Sequence, residues 1–527
     1  MLCSASPNII IFKPSKVKSD GIVMKPTLLK ILYILALLIV AGGLLVFAAE
    51  QKSFSEDESF TATFAQRDPG ELLQGVAWDV HPPLYLYLIG QWGRYFGFNE
   101  LGLRSFSILC MLIALLLTYK LALDLLGERE ALIAITLTAF MPLIIMFGHN
   151  ARYYSLAVLL ALLAAWSAVR FDKPRQALFL LLYVISAVAF LYLIFAAAVV
   201  LVACNLWWLT RWFWQKGKHQ VASLLLWLVA QAIIVALYLP GVRIFQSVTG
   251  RFSELAQVGN LWIELIKRAG YYGFVSAVGE TISPVNPLAW LGVLIVVGVA
   301  IYALVKNWRR LNFWLPISFF IIIAVANLLI TFNAAVSATW QNLTYRALYA
   351  YPFLMIWLAA GFAQLKIRWV VVSGVALLLV FMMGIFNYLS GRQYLRPVYS
   401  VPWKQIFQQI QQEGGKEALV VCGFGDSSCY YYAERYGYGE NNLSNWNAKT
   451  AGNPTEIWYI QSNLGRVDGY GDLPAQQEAF LAEMALRYPD SSVYDYAPQD
   501  PSIRSLKARI FHQDDYEYRV NVRKFYR

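Results

Sequence analysis

Charge is the scarcest property of this sequence. Only 14% of its 527 residues are Asp, Glu, Lys or Arg, against 58% hydrophobic residues and a mean hydropathy of +0.50. Ordinary soluble domains carry about 25% charged residues, so a water-soluble globular protein is excluded. Histidine and cysteine are also sparse, at 4 and 5 residues. Cys3, Cys110, Cys204, Cys422 and Cys429 show no metal-ligand spacing. The formal net charge of +11 does not point to nucleic acid. Most basic residues sit in short connections between apolar runs, where they orient a membrane protein.

Those apolar runs dominate the chain. The first, Leu28–Ala49, is long enough to cross a hydrocarbon core of about 30 Å. It lacks a small-x-small cleavage site before the acidic stretch that follows, so it reads as a span, not a cleaved leader. Further runs are Leu101–Leu126, Ala131–Phe147, Tyr154–Phe171, Ala177–Leu193, Ile194–Trp214, Val221–Leu239, Leu288–Val305, Phe313–Phe332, Ala347–Leu365 and Trp369–Leu389. With the first they predict about eleven transmembrane helices over 28–389. The cut at Leu193/Ile194 divides about forty apolar residues between two spans and a buried turn.

Lys and Arg fix the expected topology. The tail 1–27 carries Lys13, Lys16, Lys18 and Lys25. Alternate loops hold Lys120 and Arg129; Arg170, Lys173 and Arg175; Arg211, Lys216 and Lys218; Lys306, Arg309 and Arg310; and Lys366 and Arg368. All fall on the side of the N-terminal tail, which the positive-inside rule makes cytoplasmic. The opposite side receives loop 50–98, the His149–Arg152 turn, loops 240–287 and 333–346, and residues 390–527. That tail is polar and alternates predicted helices and strands: Trp403–Gln412, Ala418–Cys422, Ser427–Tyr436, Glu456–Ile460 and Gln476–Leu486. A small extracytoplasmic α/β domain is expected. Cys422 and Cys429 have two readings there, a disulfide or two free thiols. Gly423-Phe-Gly425 follows a strand but lacks the third glycine and the downstream acid of a dinucleotide fingerprint, so it reads as a turn.

The unusual stretch is the first loop. It concentrates Glu56, Asp57, Glu58, Asp68, Glu71, Asp79 and His81 beside a bilayer surface. Its middle, 59–75, mixes Phe60, Phe64, Leu72 and Leu73 with charges and reads as an interfacial helix. The aromatic run Leu84–Phe98 lies at or dips into the interface. A carboxylate near the membrane surface is a better proton acceptor than a hydrated one, so Asp57 or Glu58 suits a general base. The same residues also suit a solvated turn that caps the next helix. Asp79 is placed to orient His81, which Pro82-Pro83 stiffens, or to hold a divalent cation with it; a packed turn is the other reading. Arg152, in a short connection on the acidic loop's side, suits a lipid phosphate through two parallel hydrogen bonds, or ordinary headgroups by snorkelling. Arg346 has the same two readings. Arg243, Arg251, Lys267 and Arg268, with Tyr271 and Tyr272, read better as headgroup contacts than as a cationic lip for a donor.

In combination these pieces resemble the GT-C glycosyltransferases that use polyprenyl-phosphate sugars, and within them bacterial relatives of protein O-mannosyltransferases (family 39) and of the lipid A aminoarabinose transferase. The matching residues are Asp57-Glu58 after the first span, DVHPPLYLYL at Asp79–Leu88, LGLRSFSIL at Leu101–Leu109 and HNARYYSL at His149–Leu156, with a looser match in RALYAYPFL at Arg346–Leu354. The resemblance covers roughly residues 28–390 and implies an integral enzyme of a bacterial inner membrane with an extracytoplasmic active site. It implies Asp57 as catalytic base, Glu58 beside it contacting acceptor or metal, and His81 shaping the site. Arg152, with Arg346, would stabilise the leaving phosphate. One departure stands out: many relatives have Glu-Ala-Arg where this chain has Asn150-Ala151-Arg152, so a metal site using that carboxylate lacks a ligand.

The implied partners are a polyprenyl-phosphate sugar, membrane lipids, and a lipid, glycan or protein acceptor; the implied cofactor is at most a divalent cation. The competing readings are a flippase or transporter of lipid-linked sugars and a non-catalytic subunit of an envelope-assembly complex. A transporter needs ionisable residues or broken helices at the bilayer midplane, whereas here polar residues gather at one interface. The topology predicts that protease added from outside cleaves within 390–527; protection of that segment would break the count of spans.

Overall fold

A long apolar helix, α1 (Pro26–Gln51), opens the fold. Large residues on one side, such as Ile39 at 73% exposure, face outward, while Ala41, Leu45 and Ala48 are buried against the rest of the bundle. The computed structural model describes residues 26–68, 70–71, 82–171, 176–214, 220–249, 256, 259–333, 337, 342–392, 401–423, 427–439, 441–445, 454–462, 473–496 and 520–527. Asp79, His81, the tail lysines up to Lys25, Lys173, Arg175, Lys216, Lys218, Arg251 and Gly425 lie outside the described residues.

After α1 come α2 (Glu56–Ala65), α3 (Leu84–Phe96), α4 (Glu100–Leu125), α5 (Glu128–Phe140), α6 (Pro142–Phe147), α7 (Tyr154–Arg170), α8 (Gln176–Leu191) and α9 (Ala197–Trp214). Then follow α10 (Gln220–Thr249), α11 (Leu261–Val278), α12 (Pro287–Asn307), α13 (Leu311–Ile330), α14 (Leu343–Arg346), α15 (Tyr351–Gln364) and α16 (Ile367–Leu389). Seven of the described helices are long and apolar enough to cross a membrane, and Tyr154–Arg170, Gln176–Leu191 and Leu348–Gln364 are shorter apolar helices. The protein is thus a polytopic helical membrane protein.

Three expected boundaries change. The single span Ala131–Phe147 is two helices, because Pro142 has no N–H to continue α5; Met141 turns extended and Pro142 opens α6. The expected loop 240–287 contains the last turns of α10 and the whole of α11, whose start is capped by Asn260 accepting from Trp262 and Ile263. The expected interfacial helix 59–75 begins earlier, at Glu56, and its described part ends at Ala65. The division near Leu193 holds, with turn residues between Leu191 and Ala197.

The C-terminal residues form a small α/β domain: α17 (Trp403–Gly414), β1 (Leu419–Cys422), α18 (Ser427–Arg435), β2 (Leu443–Asn445), β3 (Glu456–Ser462), α19 (Leu473–Arg487), β4 (Asp490–Tyr496) and β5 (Val520–Tyr526). The sheet order is β2-β1-β3-β5-β4, with β1 parallel to β2 and β3, and β5 antiparallel to β3 and β4. Alternation along β1 sends Leu419 and Val421 toward Phe480 and Met484 of α19, and Val420 and Cys422 into the core with Ile406 and Ile410 of α17. Cys422 and Cys429 form a disulfide.

Charges sort to the two ends of the bundle. At one end Lys30 pairs with Glu128 at 2.8 Å, and Asp124 pairs with Arg170. At the other end meet the close of α1, α2, the 149–153 turn, the close of α16 and the C-terminal domain.

Candidate active site

Three consecutive acids open α2, and each does something different. Ser55 and Glu58 have capping-box spacing, and the Ser55 N–H and hydroxyl both donate to Glu58 Oε2, at 3.0 and 3.1 Å. Glu58 is buried at 1% exposure. It receives Arg104 through two parallel hydrogen bonds, Nε to Oε1 and Nη2 to Oε2, each 2.8 Å. The Ala151 N–H donates to the same carboxylate at 2.8 Å. Burial alone would raise the Glu58 pKa; the Arg104 guanidinium and the Ser55 N–H outweigh it and hold the carboxyl down to about 2. Glu58 is therefore a buried anion whose two carboxylate oxygens are both engaged by protein donors.

Arg104 spends its other donors on the end of α1. It donates to the carbonyls of Ala49, Lys52 and Ser53 at 2.7, 2.6 and 3.0 Å. Helix C-termini leave such carbonyls without partners, and a guanidinium fork satisfies three of them here. Nearby, His149 is fully buried, and burial pulls its pKa down to about 3. Neutral His149 donates from Nδ1 to the Ile145 carbonyl at 3.0 Å, and Nε2 accepts from the Tyr388 hydroxyl at 3.2 Å.

Asp57, in contrast, is exposed. Among the described residues no hydrogen bond or ion pair engages its carboxylate. The Asp57 carbonyl accepts from Thr61 Oγ1 at 2.9 Å and from Arg152 Nη1 at 3.4 Å. Arg152 Nη1 also donates to Thr61 Oγ1 at 3.0 Å. Arg152 and Asp57 thus stand at the same end of the bundle, on neighbouring backbones. Arg346 follows a tyrosine that packs on the residues flanking the 149–153 turn. Its neighbour Tyr345 stacks on Phe147 with ring centroids 4.8 Å apart and meets Tyr154 edge-on at 5.2 Å. The Asp57 carboxylate is among the groups that favour the Arg346 cation. Asp57 and Arg152 therefore come together, with Arg346 within electrostatic reach of Asp57.

Sequence reasoning missed Arg104, although its motif was noticed. The signal was there: a lone Arg at the start of an otherwise apolar span needs a partner, and the acidic loop supplies one. It also gave no role to Glu56 and Glu100, which bond the C-terminal domain. Among the described residues no three His, Cys, Asp or Glu side chains converge on a metal-sized site.

Residues 80–243 match the family model described as dolichyl-phosphate-mannose-protein mannosyltransferase. The match includes Arg104 and Arg152 but neither Asp57 nor Arg346. The structure is similar to that of ArnT from Cupriavidus metallidurans bound to undecaprenyl phosphate, with 12% identity, a TM-score of 0.53, and 95% of this chain and 98% of that chain covered. Apo ArnT from the same organism gives 13% identity, a TM-score of 0.54, and 94% and 98% coverage. The apo oligosaccharyltransferase of Archaeoglobus fulgidus gives 11% identity, a TM-score of 0.49, and 88% and 73% coverage. No curated protein matches the sequence. At such low identity the likeness concerns the fold, and the fold is GT-C, as the motifs suggested.

The two depressed pKa values act in different pH windows. Both groups are less protonated in the folded than in the unfolded state, so both make stability fall as pH falls. His149 acts between its ordinary 6.5 and about 3, whereas Glu58 acts between 4.5 and about 2. His149→Asn should therefore flatten the melting-temperature profile in detergent between pH 6.5 and 4.5 and leave the steeper fall below it. An unchanged slope in that window would show that His149 does not stay neutral in the folded protein.

Proposed function

We propose that this chain is an inverting membrane glycosyltransferase. It moves a sugar from a polyprenyl-phosphate donor to an envelope lipid, glycan or protein acceptor, on the extracytoplasmic side of a bacterial plasma membrane. The observation that carries the reading is Asp57: an exposed carboxylate on a residue whose backbone carbonyl bonds Arg152, at one end of a GT-C bundle. Eleven spans and an outward-facing C-terminal domain are part of the same proposal, supported by the distribution of Lys and Arg.

In this mechanism the bilayer presents the donor with its phosphate at the depth of Arg152. Asp57 removes a proton from the acceptor's hydroxyl or amine as that atom attacks the anomeric carbon from the opposite face. The bond to the phosphate oxygen breaks, and polyprenyl phosphate leaves with its negative charge facing Arg152 and Arg346. A phosphate leaving group needs no general acid, so one base and two fixed cations suffice. Glu58 does not touch substrate; it holds α2 through Arg104 and Ala151. Asp79 and His81, between α2 and α3 in the chain, are proposed to shape the site or to help hold a divalent cation. A flippase gains no support from the described residues: Glu58, Arg104, Glu100 and Arg152, the buried charges around the site, gather at one end, not at mid-depth.

Asp57→Asn should leave the melting temperature unchanged and cut transfer by about 10²–10⁴-fold, the usual worth of a positioned general base. The assay is mass spectrometry of envelope lipids, glycans and glycoproteins in a deletion strain complemented with each variant. Wild-type product from Asp57→Asn would end the transferase reading. Arg152→Ala should raise the KM for the lipid-phosphate donor more than that for the acceptor; an unchanged donor KM removes Arg152 from the donor site.

A further inference from the structure

The C-terminal domain grips the loop that carries Asp57, and the grip uses charges that the proposed chemistry leaves idle. Glu56 reaches the first turn of α18: its carboxylate accepts from the backbone N–H groups of Ser427 and Ser428, at 2.5 and 3.2 Å. A carboxylate there satisfies donors that a helix start leaves open and meets the positive end of the helix dipole. One turn along α2, the hydroxyls of Ser59 and Ser428 meet at 3.0 Å, both buried. Just before α2, the Phe54 N–H donates to the Tyr432 hydroxyl at 2.7 Å. That hydroxyl in turn donates to Glu100 at 2.6 Å. Glu100 is buried at the start of α4 and also pairs with Arg435 and with Lys404, the latter at 3.3 Å. Every one of these contacts crosses between the membrane bundle and residues 404–435.

Helix geometry turns this into a positioning device. Successive residues on a helix point about 100° apart. Glu56, Asp57 and Glu58 therefore leave the first turn of α2 in three directions. Glu56 is held by α18, Glu58 is held by Arg104 and Ala151, and Asp57 alone is left exposed. A helix of ten residues has little stability of its own, so these outside grips decide whether α2 persists. The α18 side of the grip is itself tied down. Cys429, in the first turns of α18, is disulfide-bonded to Cys422 at the end of β1, and both residues are buried. The bond fixes the turn that Glu56 grips to the five-stranded sheet.

We propose that the C-terminal domain is a clamp that positions Asp57, with Glu56 and Glu100 as positioning residues and the Cys422–Cys429 disulfide as its lock. Opening the disulfide releases α18 from β1, slackens the grip on Glu56 and frees the first turn of α2. The consequence for transfer rests on the function proposed above; the structural claim does not.

Hydrogen–deuterium exchange on the full-length protein in detergent tests the clamp without any substrate. Dithiothreitol should raise exchange of the 56–65 amides by at least about tenfold, a scale set by local opening, while amides 108–122 of α4 stay protected. Reoxidation should restore the starting rate, which separates the effect from misfolding. Among variants, exchange should rise from wild type to Glu56→Gln, whose amide oxygen still accepts one N–H, to Glu56→Ala. Unchanged exchange in α2 on reduction and in Glu56→Ala would overturn the clamp. The envelope assay supplies a separate arm. If Asp57→Asn abolishes the product while Cys422→Ser/Cys429→Ser and Glu56→Ala give wild-type amounts, the clamp falls and the transferase stands. If Asp57→Asn costs nothing, the transferase falls and exchange still decides the clamp.

Discussion

The ion pair between Glu58 and Arg104 is the contact on which the rest of this end of the molecule depends. Both side chains are 1% exposed, so neither charge is solvated by water. A buried pair repays its desolvation only when the geometry is good and the remaining donors and acceptors are filled. Here they are. Glu58 also takes two bonds from Ser55 and one from Ala151, and Arg104 also closes three carbonyls at and just beyond the end of α1. One guanidinium and one carboxylate thereby join the close of α1, the start of α2, the start of α4 and the turn before α7. Removing one partner would strand the other, a loss of about 3–5 kcal/mol by the usual cost of an uncompensated buried charge.

This joint also explains why the departure at Asn150 leaves the turn intact. The contact from the HNAR turn to the acidic loop is made by the backbone N–H of Ala151, not by the side chain at position 150. A carboxylate at 150 is thus unnecessary for holding α2 in place. Arg152 then approaches α2 from the same turn and meets Thr61 and the Asp57 carbonyl. Side by side on one turn, Ala151 secures Glu58 and Arg152 reaches the backbone of Asp57.

Much of this architecture was legible in the chain. Apolar run length marks the seven described helices long enough to cross a membrane and the three shorter apolar ones, and turn and strand signals mark the α/β alternation of the tail within a few residues. What escaped has identifiable physical causes. Hydropathy is blind to a break inside an apolar run, and Pro142 had to be weighed as a missing donor to see one. Helix α11 carries Glu264, Lys267 and Arg268, which lower its hydropathy; their spacing of three and four is a helical pairing signal that a search for apolar runs passes over. The polar strands β4 and β5 pair with each other over seven residues without a strongly apolar sequence to announce them. Arg104 was visible as a lone charge, but its partner lies 46 residues earlier. Such a pairing is a tertiary fact. Loop order and the distribution of Lys and Arg put Asp57, Arg152 and Arg346 on one expected side, whereas the bond from Arg152 to the Asp57 carbonyl is a tertiary contact that chain position leaves open.

The division of labour among Glu56, Asp57 and Glu58 follows from where charge can be neutralised. An acid next to low-dielectric surroundings is costly unless it is paired or reaches water. Glu58 is paired with a guanidinium, Glu56 lies on a helix N-terminus, and Asp57 keeps access to solvent. A general base needs that last arrangement, because a carboxylate already filled with hydrogen bonds is a poor proton acceptor. The two flanking acids fix the backbone of α2 so that the middle one does not need to be held by its own side chain. On the transferase reading, positioning is thereby separated from reactivity: Glu56 and Glu58, which supply rigidity, are hydrogen-bonded, and Asp57, left for chemistry, is exposed. On the transferase reading, rigidity here is what brings the acceptor atom into line with the anomeric carbon, where a displacement of about 1 Å costs around a hundredfold in rate.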